Sequence, residues 1–243
     1  MNSRSETRVD RTMKLLRLFS TLMLLAAAAP GLSGQGVIVD EGSFAVTIGG
    51  VLAGTEDFVI RRPGVGREDA VFANGSIELE LPDGLLSMSA LLHAAPPDGI
   101  AVRYQLSASG LHETEVQVAR SGRRYLATIR SAEGAEDREF QAHVDTRVLE
   151  GLVAHHYYFL RDLRPERSVH TLEPRSRTQG VITAGPPDQE VIRLGPNEIQ
   201  ARRVQFTTEA GDERTIWYDR QGRVLRVSIA SLNYLAERTD LVG

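Results

Sequence analysis

The chain has 243 residues, with 28 Lys plus Arg against 32 Asp plus Glu and no cysteine. The missing cysteines exclude disulfides, thiol catalysis, cysteine metal sites and lipid attachment through an N-terminal cysteine. The acidic balance argues against nucleic acid or anionic membrane surfaces as partners, and Lys14 is the only lysine, which leaves no Schiff-base lysine beyond the leader.

Residues 1–34 read as an export signal. Lys14 and Arg17 precede an apolar stretch over residues 18–29, which Pro30 breaks and the small residues Gly31, Ser33 and Gly34 follow. That stretch is shorter than the roughly 20 residues that span a bilayer, so the reading is a removed signal, with no stable membrane insertion afterwards. The polar residues before Met13 make Met13 a candidate for the true start. Five basic and two acidic residues fall in the first 34, leaving 23 against 30 and a charge near −7. Residues 35–243 read as a single β-rich domain of a periplasmic or secreted protein.

After the signal the dominant period is two. Phe44, Val46 and Ile48 alternate with small or polar neighbours, Gly49 and Gly50 interrupt, and Phe58 and Ile60 begin a second extended run. Ile77, Leu79 and Leu81 alternate up to the turn Pro82-Asp83-Gly84. The stretch 86–94 is the next strand, and Ile100, Val102, Tyr104 and Leu106 mark a strand with one buried and one wet face. Gly110, Gly122 and Gly134 punctuate a meander that contains Val116 and Val118, then Tyr125, Ala127 and Ile129. Asn74-Gly75-Ser76 matches a glycosylation acceptor.

One segment has period 3.6. Leu149, Leu152, Val153, His156 and Leu160 share a stripe, with Thr146 or Asp145 available as a cap, which predicts one packed helix over about 147–160. Strands then resume around 169–172, 181–183 and 191–194, followed by Val204 and Phe206. The clearest hairpin joins 215–219 to 224–229 through Arg220-Gln221-Gly222-Arg223, with Leu225, Val227 and Ile229 facing one way and Trp217 expected to anchor the sheet. The predicted fold is mainly β, a curved antiparallel sheet or open barrel of about ten strands closed by the helix.

The run from Arg214 to Val227 resembles the last hairpin of a group of bacterial periplasmic proteins of unknown function, whose fold resembles the open β-barrel of the periplasmic lipoprotein carriers. The opening around Gly49 and Gly54 is similar to the start of that group, as is the segment carrying His155-His156-Tyr157-Tyr158. The resemblance implies a curved sheet wrapped about a helix, with a cavity for an acyl chain or other apolar ligand, and it carries no catalytic residues with it.

The side chains support no catalytic or metal constellation. His155 and His156 are adjacent, so on a helix they point about 100° apart and do not chelate one ion. His156 falls on the buried stripe as a core histidine, and His155 at its margin. His112 points away from Glu113 and Glu115 if the segment is a strand. The residues expected to bind a ligand are His156, Tyr157 and Trp217. Arg161, Arg164, Arg167, Arg175 and Arg177 form a basic cluster that could dock an anion or a partner. The leading expectation is a non-enzymatic exported protein with no cofactor and no metal, binding an apolar small molecule or lipid between sheet and helix. Two alternatives stand beside it: an interaction domain with a filled core, and a hydrolase in which His112, His143 or His170 meets a carboxylate.

Overall fold

A computed structural model describes residues 36–63, 70–96 and 99–241; the signal reading of residues 1–34 lies outside them. Eight strands follow one another as an antiparallel meander. They are β1 (Val37–Ile48), β2 (Val51–Arg62), β3 (Val71–Leu81), β4 (Gly84–Ala95), β5 (Ile100–Gly110), β6 (Thr114–Ser121), β7 (Arg124–Ser131) and β8 (Gly134–Gln141). The second half contributes β9 (Arg147–Val148), β10 (Ser168–Glu173), β11 (Thr178–Ala184), β12 (Asp188–Leu194), β13 (Asn197–Thr208), β14 (Glu213–Tyr218), β15 (Val224–Ile229) and β16 (Tyr234–Arg238). β16 pairs with β1, so the two halves form one 16-stranded open sheet running from β8 to β9, with β12 attached to β13.

Sixteen strands replace the expected ten, and the strands missing from the sequence reading are those without an apolar alternation. β8 reads Gly-Ala-Glu-Asp-Arg-Glu-Phe-Gln and buries only Phe140. An edge strand needs no second apolar face, and charges there discourage pairing with other chains. β9 has two residues, and β16 has five, one of them the buried Arg238. Arg238 pairs with Asp40 at 2.8 Å across the β1 side of the junction and with Asp240 at 2.9 Å. Burial alone would lower its pKa, but these carboxylates hold it above the usual arginine value.

The sheet curls so that one face of the strands other than β12 lines the interior. Phe44, Phe58, Ile77, Met88, Tyr104, Val118 and Ile129 all lie in the main core, with Val204, Phe206, Ile216 and Tyr218 from the second half. The free edge of β8 approaches the β10–β11 hairpin through side chains. The Gln141 amide donates to Gln179 Oε1 at 3.0 Å and Gln179 Nε2 donates to the Gln141 carbonyl at 2.7 Å. Arg177 Nε donates to Glu136 at 2.8 Å beside them.

The segment expected to be a helix over about 147–160 is only partly helical. Arg147 and Val148 pair in parallel with Thr171 and Leu172, and the chain then reverses at Gly151 and Leu152, where Leu152 has φ 65°. Winding is confined to a 3₁₀ turn, His155–Leu160, in which all six residues are buried. A segment buried on every side contains an apolar stripe at any period, which is why periodicity overstated the helix. Thr146 and Asp145 do not cap it: Thr146 bonds His143, and Asp145 bonds His170.

A bulge on β15 reverses one facing. Trp217 pairs with Arg226 but Tyr218 pairs with Val224, so Leu225 is an extra residue that turns to the outer face. There it meets Trp217, Ile192, Leu194 and Ala201 in a second, smaller core. Val227 and Ile229 stay in the main core. The shared facing expected for Leu225, Val227 and Ile229 is therefore broken, and Trp217 is half-buried outside the barrel.

Among the described residues no helix is long and apolar enough to cross a membrane.

Candidate functional site

Three groupings carry chemistry, and the first is buried. Glu56 on β2 is fully enclosed. Its carboxylate accepts the backbone N–H groups of Ala154 at 2.7 Å and His155 at 2.8 Å, capping the 3₁₀ turn from a distant strand. His155 Nδ1 lies 2.7 Å from the same carboxylate, and because a carboxylate only accepts, that ring nitrogen carries the proton. Gly75 makes room for the imidazole: a Cβ there would stand 2.4 Å from His155 Cε1. His156 Nδ1 accepts the Glu150 N–H at 3.2 Å, which leaves its proton on Nε2. Burial pushes the His156 pKa well below 6.5, and the adjoining His155 ring adds to that. Burial raises Glu150, against the pull of Arg175, whose Nε donates to it at 3.1 Å.

In the region expected to hold a ligand between sheet and helix lie the segment's own side chains Tyr157, Tyr158, Phe159 and Leu160, all of them core residues. The Tyr218 hydroxyl donates to the Tyr157 carbonyl at 2.9 Å, and Arg214 donates to the Tyr157 hydroxyl at 3.0 Å.

The second grouping is the one the hydrolase alternative requires. His170 Nδ1 lies 2.7 Å from Asp145 Oδ1, and the His143 ring stacks on His170 with centroids 3.4 Å apart. Burial alone would raise Asp145, but its bond to His170 holds its pKa below the usual carboxylate value. The hydroxyl on the same face of β10, Ser168 Oγ, is bonded to Thr183 Oγ1 at 2.8 Å. No nucleophile is paired with His170 among the described residues, and the cluster ties the crossing segment after β8 to β10.

The third is a groove of about 620 Å³ on the outer face of β3–β5, lined by Ala70, Phe72, Leu91, His93, Val102, Arg103 and Gln105. Cross-strand register places Arg61, Phe72, His93 and Arg103 in one row over four strands, and directly opposed residues share a face. His93 stacks on Phe72 at 4.7 Å. Between His93 and Ala94 the register slips by one residue of β5, leaving Val102 as the extra residue. That bulge brings a second aliphatic side chain to the groove beside Leu91.

Of the residues expected to bind a ligand, His156 and Tyr157 are buried together, while Trp217 stands in the outer core with its indole N–H on Glu190 at 2.9 Å. The arginine cluster is dispersed. Arg161 stacks on Tyr158, Arg175 pairs with Glu150 and Arg177 with Glu136, and Arg164 and Arg167 are exposed. His155, placed at a margin, has no exposed surface. Sequence reasoning missed Glu56 and the groove. An acidic residue at an apolar-phase position of β2 marks Glu56; the groove depends on a bulge that alternation does not reveal.

The fold is a β-barrel-like open sheet. No protein-family model and no curated protein matches the chain. Among solved structures it is similar to a β-barrel-like protein of the domain of unknown function DUF1849 from Brucella abortus, with a TM-score of 0.54 and 7% identity over 82% of this chain and 94% of that one. At that identity the likeness concerns the fold alone, and it agrees with an open β-barrel of unknown function.

Proposed function

We propose that the chain is an exported, non-enzymatic binding protein that holds an apolar molecule in the outer groove rather than between sheet and helix. The observation that carries this reading is the half-buried trio Phe72, Leu91 and Val102, gathered around a concavity on the outer face of β3–β5. A sheet whose inner face already covers its core has no packing reason to present such a floor on its wet face. Export is supported by the charged, apolar and small-residue order of residues 1–34.

The test uses the neutral probe N-phenyl-1-naphthylamine. Its fluorescence should rise in the presence of the protein, and Leu91→Glu should abolish the rise without changing the thermal midpoint, because that side chain is outside the core. Equal enhancement by wild type and Leu91→Glu would refute the groove as the site.

A further inference from the structure

Resting on that reading, we infer that the ligand is an amphiphilic organic anion, with its apolar body on Phe72, Leu91 and Val102 and its anionic head drawn to Arg103 and Arg61. Arg103 lines the groove. Arg61 closes the same cross-strand row on the far side of Phe72, and both arginines are exposed. Neither makes an ion pair among the described residues. Exposed guanidinium groups beside an apolar floor complement a carboxylate or phosphate carried on an apolar body.

Charge elsewhere on the face gives the ligand a direction. Two strand positions further along, the outward residues are Val59, Asn74, Leu91, Gln105 and Gln117, and two beyond those Asp57, Ser76, Ser89, Ser107 and Glu115. Asp57 therefore stands at the far end of the face, with Glu115 offset by Arg130 at 3.8 Å, and Arg61 and Arg103 stand at the near end. An anionic head placed near Asp57 meets like charge, and placed at the Arg61–Arg103 end meets opposite charge. The anion is recognised at the surface, so the attraction is screened by salt while contact with the floor is not.

The probes are decanoate, decanol as its neutral counterpart, and acetate as the head alone, each titrated against the full mature chain. Decanoate should bind about tenfold tighter than decanol at low salt, the size expected of a hydrogen bond to a charged group, and acetate should not compete. Arg103→Gln should bring decanoate to within about twofold of decanol measured on the same variant; Arg61→Gln should reduce the preference in part. Raising the salt should erode the preference in wild type only. If decanol and N-phenyl-1-naphthylamine bind at Leu91 but decanoate gains nothing, the anion inference fails and the apolar groove stands. If no probe binds, the groove reading fails with it. If Arg103→Gln keeps the full tenfold preference, another cation holds the head and the inference is overturned.

Discussion

Glu56 on β2 and His155 on the 3₁₀ turn, 99 residues apart, meet at 2.7 Å with both side chains fully buried. The same carboxylate caps the backbone of Ala154 and His155, so one acidic side chain docks the interior segment onto the barrel wall. Replacing Glu56 by alanine leaves three buried donors without their acceptor. The expected loss is about 3–5 kcal/mol, with Glu56→Gln costing less because one amide oxygen remains. Urea unfolding measures both, and an alanine variant within about 1 kcal/mol of wild type would show that the cap is not a structural anchor.

Gly75 and His155 are a complementary pair. Gly75→Ala sets a methyl group 2.4 Å from the imidazole and should destabilise by about 1–3 kcal/mol. Because the clash is with one side chain, the double variant with His155→Ala should be more stable than the sum of the single losses predicts. Strict additivity would mean that His155 does not pack on Gly75.

Acid sensitivity follows from His156. Its folded pKa is depressed by burial, so between that value and about 6.5 the unfolded chain takes up a proton that the folded one does not, and stability falls as pH drops below about 6.5, by up to about 1.4 kcal/mol per unit. Glu150 works in the other direction. Its raised folded pKa means stability falls as pH rises through that pKa. The His156 share is isolated by comparing wild type with His156→Leu between pH 7 and pH 5. The wild type should lose stability relative to the variant, and parallel curves would contradict a buried neutral imidazole.

Trp217 and Tyr218 are neighbours on opposite faces of β14. Tyr218 has no exposed surface and bonds the Tyr157 carbonyl, so Tyr218→Ala should cost about 3–5 kcal/mol. Trp217 packs in the small outer core and should cost about half as much, with an emission maximum between buried and free indole. A larger loss from Trp217→Ala than from Tyr218→Ala would place the main core on the wrong face.

Much of the architecture is legible in strand periodicity, because inward and outward residues alternate wherever a strand has one wet face. Phe44 to Ile48, Ile77 to Leu81 and Tyr125 to Ile129 keep their expected facings, and Gly49, Gly84, Gly110, Gly122 and Gly134 all sit at turns with positive φ. What alternation does not carry is register. The extra residues Leu225 and Val102 look like ordinary strand residues, yet each bulge moves a side chain across the sheet, one into the second core and one into the groove. The interior segment misleads for a different reason: Val153 to Leu160 are all buried, so a helical stripe is present without a full-length helix. Glu56 supplies the cap from far along the chain, where local signals do not reach.

The most direct test of the central claim, that the interior is filled and the binding surface lies outside, is methyl chemical-shift mapping with N-phenyl-1-naphthylamine. The methyl groups of Leu91 and Val102 should shift on addition, and those of Ile77, Leu79, Val118 and Ile129, which belong to the core, should not. Shifts concentrated in the core set, with Leu91 and Val102 unmoved, would place the ligand inside the barrel and contradict the account.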